Sequence, residues 1–456
     1  MSLGGMTRFQ RNPDGSLTLG TEVEVHVPAG TSMLEAEERL MLEVNKAGAG
    51  LTGELLQSMD ADGKSLSRGG RNFTAKKNKE VRHVETPYGC TVVERWAYQD
   101  SRGGVCHYPL DAAASLIGAA TPKFAQMVSR KLVELPASEV VRDLRANHAR
   151  SVTIDFVQRL TGLVGALAEA AVPVSRGASL PPPEEVAIVS VGVDGACVLM
   201  GMRTEDACAA DGRKERIREW RVAMVGAITL YDAAGERLGS IYAATAPPED
   251  KSEGKSAFWA LMEREVAAVK ERYPQARYTG LSDGASDFVP WLREHTGQLV
   301  LDFYHASGYL CAAAGAFAHE VPRGEDAATW WAQEACSHLK HEEGAAASLL
   351  EIFEERLKSK RRIAAADREA VEKAATYFRN NLERMDYASY SAQGLPIGSG
   401  VTEAGCKLLV KKRLCGPGMT WGFKMAGHVL KLRALAHSAG ERWAGLWRTI
   451  LTPKAA

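Results

Sequence analysis

The order of hydrophobic patterns between residues 186 and 303 constrains the fold of this chain more than any other feature. Residues 186–193 form a short, almost continuous apolar run, which predicts a buried strand. The predicted elements that follow are a hairpin of strands 221–231 and 237–244, a helix 257–272, a strand 277–281, a helix 284–294 and a strand 298–303. This order predicts an α/β fold with one mixed sheet and helices packed on it.

Helical patterns dominate on both sides of this segment. Within residues 109–171, two helix starts at positions 136 and 151 are separated by a short polar turn. The arrangement resembles a helix-turn-helix, and a generic helical bundle fits the pattern equally well. After residue 305 the pattern stays helical to the C-terminus.

Changes in composition divide the chain. Proline, serine and glycine accumulate over residues 172–184, which predicts a linker and the main domain boundary. The first 80 residues are weakly patterned, with a loop over 63–79 and a helix over 32–45 whose core candidates are Leu34, Leu40, Leu42 and Val44. The predicted divisions are an N-terminal region 1–80, a region 81–171 with a β-hairpin and a helix-turn-helix-like pattern, the linker 172–184, a core first part 185–305, a helical segment 306–395 and a core last part 396–456.

Charge and cysteine usage restrict the classes of function. The 456 residues contain 56 basic and 56 acidic side chains, so any nucleic-acid partner must be bound by a local basic patch. The eight cysteines are scattered without a Cys-x-x-Cys pair, which favours reduced thiols in a cytoplasm over a disulfide scaffold. No apolar stretch has the length of a signal peptide core or a membrane span, so no membrane partner is expected.

Three familiar motifs are incomplete. Gly254, Lys255 and Ser256 suggest a phosphate-binding loop, but Glu249 stands where that loop requires its first glycine. His338 and His341 could share one helix face, but they lack a clear third ligand and the glutamate of a zincin motif. Cys90 and Cys106, with histidines near them, leave open whether a degenerate zinc module exists.

Three acidic residues stand at the ends of predicted elements. Asp194 ends the first strand, Asp283 ends the fourth, and Glu403 opens a late helix. Each has a simpler interpretation, as a turn residue, a helix cap or a first-turn acid. Taken together they suit a site for two divalent cations that activate an attacking oxygen and stabilise a leaving oxygen on phosphorus.

The segments that carry these acids resemble a known family. Residues 191–195, 282–287, 301–305 and 397–407, in this order, resemble motifs of the DDE transposases of bacterial insertion sequences. The similarity is to the ISKra group and, more distantly, to Mutator-like transposases. It covers residues 186–447, and it is weaker over 81–160, where Tyr108 to Asp111 and the helices after them look like the family's N-terminal part.

The resemblance implies an RNase H-like mixed sheet with a helical insertion, preceded by a mainly helical DNA-binding region. It implies that Asp194, Asp283 and Glu403 bind Mg²⁺ or Mn²⁺, and that the strand carrying Asp194 lies beside the strand carrying Asp283. Asp302 and His305 match the Asp-x-x-His element of Mutator-like relatives. His305 then either contacts a DNA phosphate or the metal site, or is a structural residue at a helix start. The neutral net charge departs from the pattern of DNA-handling enzymes.

A basic segment follows the third acid. Glu403, Lys407 and Lys411 recur every four residues, so they share one helix face, and Lys412 and Arg413 extend the positive charge. These four cations are the predicted DNA contacts, with a solvated helix face as the simpler interpretation. Trp421 is either a base-stacking residue or a core residue.

The sequence therefore predicts a DNA transposase that cuts element ends and joins them to target DNA. The expected partners are the terminal repeats, the target DNA and further copies of the chain, since two element ends must be brought together. The expected location is the bacterial cytoplasm, at the nucleoid. Two alternatives stay open: a catalytically inactive or domesticated DNA-binding derivative, and a structure-specific nuclease of the same fold.

Overall fold

The computed structural model divides the chain into two compact units. The first comprises Met1–Pro173 and Trp443–Ala456, and the second comprises Val174–Arg442. The division after Pro173 falls inside the predicted linker, of which residues 172–178 lie outside the described part of the chain. The structure describes residues 8–68, 70–170, 179–208, 214–285, 287–318 and 326–452.

The first unit combines small antiparallel sheets with helices. Its strands are β1 (Arg8–Arg11), β2 (Leu17–Gly20), β3 (Leu66–Arg68), β4 (Arg71–Ala75), β5 (Glu80–Glu85), β6 (Cys90–Arg95) and β7 (Tyr98–Asp100). Its helices are α1 (Met33–Gln57), α2 (Pro109–Ala113), α3 (Pro122–Leu132), α4 (Ala137–His148) and α5 (Ile154–Ala170). The predicted hairpin is confirmed, because β5 pairs with β6 across a turn in which the Thr86 amide donates to the Gly89 carbonyl.

Two predictions for the first 80 residues are wrong. Strands β3 and β4 lie within the predicted loop 63–79 and pair with each other and with β7. The four apolar side chains assigned to a core on α1 are all exposed, because the helix runs on to Gln57 and buries Ala49, Gly53 and Leu56 instead. A helical pattern gives the face of a helix that is apolar, but packing decides which stretch of that face is covered.

The second unit is built on one five-stranded mixed sheet. Its strands are β8 (Ile188–Cys208), β9 (Lys214–Tyr231), β10 (Arg237–Thr245), β11 (Arg277–Ser282) and β12 (Gln298–Leu301), in the spatial order β10-β9-β8-β11-β12. The first three pair antiparallel, whereas β8, β11 and β12 run parallel. The predicted strands, their hairpin and the α/β class are therefore confirmed.

Helices cover both faces of this sheet. They are α6 (Ser256–Arg272), α7 (Val289–His295), α8 (Phe303–Ala313), α9 (Ala327–His341), α10 (Ala345–Lys358), α11 (Ala365–Asn381), α12 (Tyr387–Ala392), α13 (Gly400–Gly405), a π-helix (Cys406–Lys411), α14 (Lys412–Leu414) and α15 (Phe423–His437). Helix α7 begins five residues later than predicted. In the described residues after Leu301, the only β-type pairing is the isolated bridge between Met200 and Trp421. A last helix, α16 (Arg442–Leu451), belongs from Trp443 onward to the first unit, which corrects its assignment to the core.

The alternation of β8 explains how the sheet is covered. Its odd-numbered residues Val189, Val191 and Val193 pack in one cluster with Phe258 and Met262 of α6. On the opposite face, two separate clusters cover the strand. Near its start, Ile188 packs with residues of α8 to α12. Further along, Ala196, Val198 and Met200 pack with the π-helix and α15. Gly192 and Asp194 share this second face and lie between its two clusters. No helix in the described part of the chain is both long and apolar enough to cross a membrane.

Candidate active site

The sheet aligns two of the three predicted acids. The last paired residues of the parallel strands β8 and β11 are Gly192 and Leu281, and Asp194 and Asp283 each lie two positions beyond them. Because neighbouring strands are about 4.8 Å apart, this register sets the two aspartates side by side. Asp194 does not end its strand as predicted, since β8 continues to Cys208 beside β9. It lies where the pairing with β11 ends.

Hydrogen bonds to its side chain and to its backbone carbonyl hold Asp283 in place. Its own Oδ1 accepts from the Ala285 amide at 3.1 Å, and its carbonyl oxygen accepts from the Tyr377 hydroxyl at 2.9 Å. The preceding Ser282 accepts at its Oγ from Nη1 of the buried Arg384, at 3.3 Å. Two residues of the helical segment 365–384 therefore fix the end of β11.

Glu403 lies on a helix that brings it close to Asp194 and Asp283. The segment 400–414 is continuous helix, and its middle turns, Cys406–Lys411, have π geometry. This helix approaches the sheet closely at Gly192, where a β-carbon would lie only 2.0 Å from Oγ1 of the buried Thr402. The absence of a side chain at Gly192 thus permits the approach that brings Glu403 beside Asp194.

These groups line one cavity of about 310 Å³. Its wall contains all three predicted acids, together with His305 and two of the four predicted cations. The lining residues are Val193, Asp194, Asp283, His305, Ser399, Thr402, Glu403, Cys406, Lys407 and Lys411. Asp194 and Glu403, which are 209 residues apart in sequence, therefore meet at a small site that contains both acidic and basic residues.

His305 lies in the first turn of α8, with its side chain exposed. Its ring centroid lies 5.8 Å from the ring of Tyr309 and 5.8 Å from that of Tyr377. These two tyrosines stack on each other at 4.1 Å. The aromatic pair limits the positions open to the imidazole, which remains accessible from the cavity.

The four predicted DNA-binding cations fall into two groups. Lys407 and Lys411 line the cavity beside Glu403, as the four-residue spacing predicts, and Lys412 is exposed outside it. Arg413 was wrongly grouped with them: its side chain is buried, with the guanidinium 4.8 Å from the ring centre of Trp421. Trp421 itself donates from its indole nitrogen to the Leu414 carbonyl at 3.0 Å. Both residues pack the end of this helix and are not exposed for contacts with DNA.

Cys406 is the one thiol of the cavity wall. It is buried, and burial followed by the negative charge of Asp194 raises the pKa of the thiol. The same effect disfavours the thiolate, which is the form that binds metals. A hard cation such as Mg²⁺ prefers oxygen ligands, so the carboxylates of the cavity suit it better than this sulfur does.

The donor set of the cavity determines whether a divalent cation fits there. No three His, Cys, Asp or Glu side chains in the described residues come close enough to hold a metal ion by themselves, either here, near His338, or near Cys90 and Cys106. Mg²⁺ keeps several water ligands and is usually bound through one or two carboxylates plus substrate phosphates. Three carboxylates around a cavity with two lysines fit such a cation, with water and phosphate as the remaining ligands.

Some residues of the site carry no signal in the sequence. Ser399 is an exception, because it lies four residues before Glu403 and helical spacing places it near that acid. Tyr377 and Arg384 lie in a long helical segment, about 100 residues from the aspartate they support, and resemble ordinary core residues there.

No protein-family model matches the chain, and no curated protein matches it.

Proposed function

We propose that this protein is a DNA transposase with an RNase H-like core, which cleaves element ends and joins them to target DNA. The observation that carries the proposal is that Asp194, Asp283 and Glu403, from three distant segments, line one cavity with Lys407 and Lys411. The strand order supports it as well, because β8 lies beside β11 and the third acid returns on a later helix. The partners in this proposal are terminal-repeat and target DNA and further copies of the chain, at the nucleoid of the bacterial cytoplasm.

Asp194, Asp283 and Glu403 are the residues that would hold Mg²⁺ or Mn²⁺. Bound there, the cations would activate an oxygen nucleophile and stabilise the leaving oxygen on phosphorus. Before they bind, the three carboxylates repel one another, and the lysines on the same helix as Glu403 offset part of that repulsion.

Lys407 and Lys411 contact the DNA backbone in this proposal. Both residues line the cavity together with Glu403, so a phosphate bound by them would lie next to the acids. Such contacts set the position of the backbone without reading base sequence. His305 lines the same cavity from α8 and donates a hydrogen bond to a phosphate oxygen.

A cleavage and strand-transfer assay tests the proposal. The substrate is DNA from the regions that flank the coding sequence, with Mg²⁺ or Mn²⁺ and a supercoiled target plasmid. We expect Asp194→Asn, Asp283→Asn and Glu403→Gln each to lower the rate at least about a hundredfold, because changing even the outer-shell partners of metal ligands costs about 10–100-fold. The control is Asp287→Asn, because Asp287 is an exposed acid four residues from Asp283 that pairs with Lys255 and does not line the cavity.

The products separate this proposal from its alternatives. Cut ends that are joined to the plasmid support a transposase, whereas cut ends that are never joined identify a nuclease. DNA binding without metal-dependent cleavage identifies a DNA-binding derivative. Cleavage that survives all three substitutions contradicts the assignment of the site.

A further inference from the structure

Asp302 is a buried acid whose role the cavity does not explain. It lies between the end of β12 and the start of α8. Only 1% of its surface is exposed, and it does not line the cavity. A buried carboxylate is unfavourable unless hydrogen-bond donors surround it. Its partners therefore show what the residue connects.

Both side-chain oxygens of Asp302 accept hydrogen bonds. Oδ1 accepts from the backbone amides of Tyr304 at 2.6 Å and His305 at 3.1 Å, which caps α8. Oδ2 accepts from the backbone amide of Ser399 at 2.9 Å and from the Ser399 hydroxyl. Capping a helix requires only the first oxygen, so the second serves the contact to Ser399, 97 residues along the chain.

The backbone of this junction extends the connection to the sheet. The Asp302 amide donates to the Ser282 carbonyl at 2.9 Å, and the Phe303 amide donates to the Ile397 carbonyl at 2.9 Å. Ser282 directly precedes Asp283. The hydroxyl of Ser399 is also 3.1 Å from Oε1 of Glu403, at the start of the helix that carries this acid. Asp302 is thus bonded to His305 and to the residues that hold Asp283 and Glu403.

Asp326 provides a comparison within the same unit. It caps α9 through the amide of Thr329 at 3.2 Å and also bonds the Thr329 hydroxyl. Its contacts are local and exposed, whereas those of Asp302 are buried and join two distant segments. Charge-assisted hydrogen bonds that are shielded from water fix geometry more strongly than exposed ones.

We infer that Asp302 is a positioning residue, which holds Glu403 and His305 in the cavity through the Ser399 backbone and hydroxyl and the first turn of α8. The inference rests on the proposed function for the role of these two residues. Asp302 itself binds no cation, because all its oxygens face protein donors and it lies outside the cavity wall.

The test uses the full chain with Asp302→Asn, which keeps the size of the side chain but turns a donor toward the Ser399 amide or toward the amides of α8. Two measurements need no DNA: amide hydrogen exchange over residues 397–405, and the affinity of the protein for Mn²⁺. We expect exchange there to be at least about tenfold faster and the Mn²⁺ affinity about tenfold lower, the range seen when partners of metal ligands are changed. Asp326→Asn, the matched control, is expected to leave both at the wild-type values.

A milder variant protects the test against failure to fold. Ser399→Ala keeps the hydrogen bond from the backbone amide of residue 399 to Asp302 and removes the hydroxyl between Asp302 and Glu403. We expect the variant to fold with a modestly lower melting temperature and to lose Mn²⁺ affinity severalfold. Wild-type exchange and Mn²⁺ affinity in both variants would overturn the inference. A wild-type protein that binds Mn²⁺ but never cleaves DNA would instead contradict the proposed transposase, and the two exchange measurements would still decide the role of Asp302.

Discussion

The two aspartates of the cavity and its glutamate are held in different ways. Asp194 and Asp283 lie just beyond the stretch in which β8 and β11 pair as parallel strands. Five consecutive residue pairs fix the register between those strands. Glu403 lies on a helix that no strand pairing aligns with the sheet. Its position depends on the close packing of Thr402 over Gly192 and on the hydrogen bonds from Ser399 to Asp302.

This difference shows where the site is robust and where it is sensitive. A register shift in the sheet would move every side chain of the strand to the other face, so the aspartates cannot move without unfolding the core. The helix of Glu403 can shift by a fraction of an ångström while the sheet stays intact. We therefore expect substitutions around the helix to lower activity at a small cost in stability, and those around the strand ends to do the reverse.

Among the substitutions that test this contrast, Gly192→Ala makes the largest predicted change, because its methyl group would overlap the Thr402 hydroxyl. We expect a loss of about 1–3 kcal/mol in the free energy of unfolding, as in other overpacked cores, and at least a tenfold loss of cleavage. Denaturant unfolding and the cleavage assay measure the two effects. Gly427→Ala is the control, since its methyl group would lie 3.9 Å from Cβ of Ala246, an ordinary van der Waals contact.

Thr402→Ala in the Gly192→Ala background should restore part of both losses. It removes the 2.0 Å overlap and leaves a contact of 3.2 Å with the Thr402 β-carbon. A double variant no better than Gly192→Ala alone would mean that this contact does not position the helix.

Arg413→Ala and Lys411→Ala compare a buried and an exposed cation of the same helix. We expect Arg413→Ala to destabilise the protein by roughly 1–2 kcal/mol through the lost contact with Trp421 and to leave the salt dependence of DNA binding unchanged. Lys411→Ala should leave stability unchanged and lower the slope of log affinity against log salt by about one. Thermal unfolding and binding titrations at several salt concentrations separate them, and a reduced slope in Arg413→Ala would restore its place among the DNA contacts.

Tyr377→Phe tests the strand side of the comparison. It removes the hydroxyl that donates to the Asp283 carbonyl and keeps the ring that stacks on Tyr309. We expect a loss of about 1 kcal/mol in stability, the usual contribution of one hydrogen bond, with cleavage reduced only a fewfold. Tyr304→Phe, at an exposed tyrosine, is the control. A large loss of activity with no loss of stability would reverse the predicted contrast.

The smallest effect concerns the thiol between helix and strand. Because burial and Asp194 raise the pKa of Cys406, its thiolate is scarce at pH 8 to 9, and alkylation by iodoacetamide should be slow there. The exposed Cys197 on β8 is the internal comparison. Peptide mass spectrometry measures both rates, and equal rates at pH 8 would contradict the environment described for Cys406.

Local patterns predicted the elements of the five-stranded sheet and singled out the three acids, but they missed β3 and β4. The apolar run at 186–193, the hairpin turn at 232–236 and the alternation of helices and strands predicted the sheet, because strand and helix periodicities differ in the sequence itself. The same patterns failed on α1, where Leu34 and Leu40 are exposed, and at Arg413, which is buried. A pattern reports which residues are apolar or charged, and not which surfaces meet.

The sequence by itself determined the order of the strands along the chain, the three acids and the lysines that follow Glu403 at helical spacing. Only the tertiary structure decided that the acids line one cavity, that Arg413 and Trp421 pack against each other, and that Asp302 joins the helix of His305 to the segment before Glu403. The physical reason is that periodicity is a property of neighbouring residues. Contacts such as Gly192 with Thr402 or Asp302 with Ser399 instead join residues about 100 or more positions apart, and close packing selects them only once the sheet and its helices have assembled.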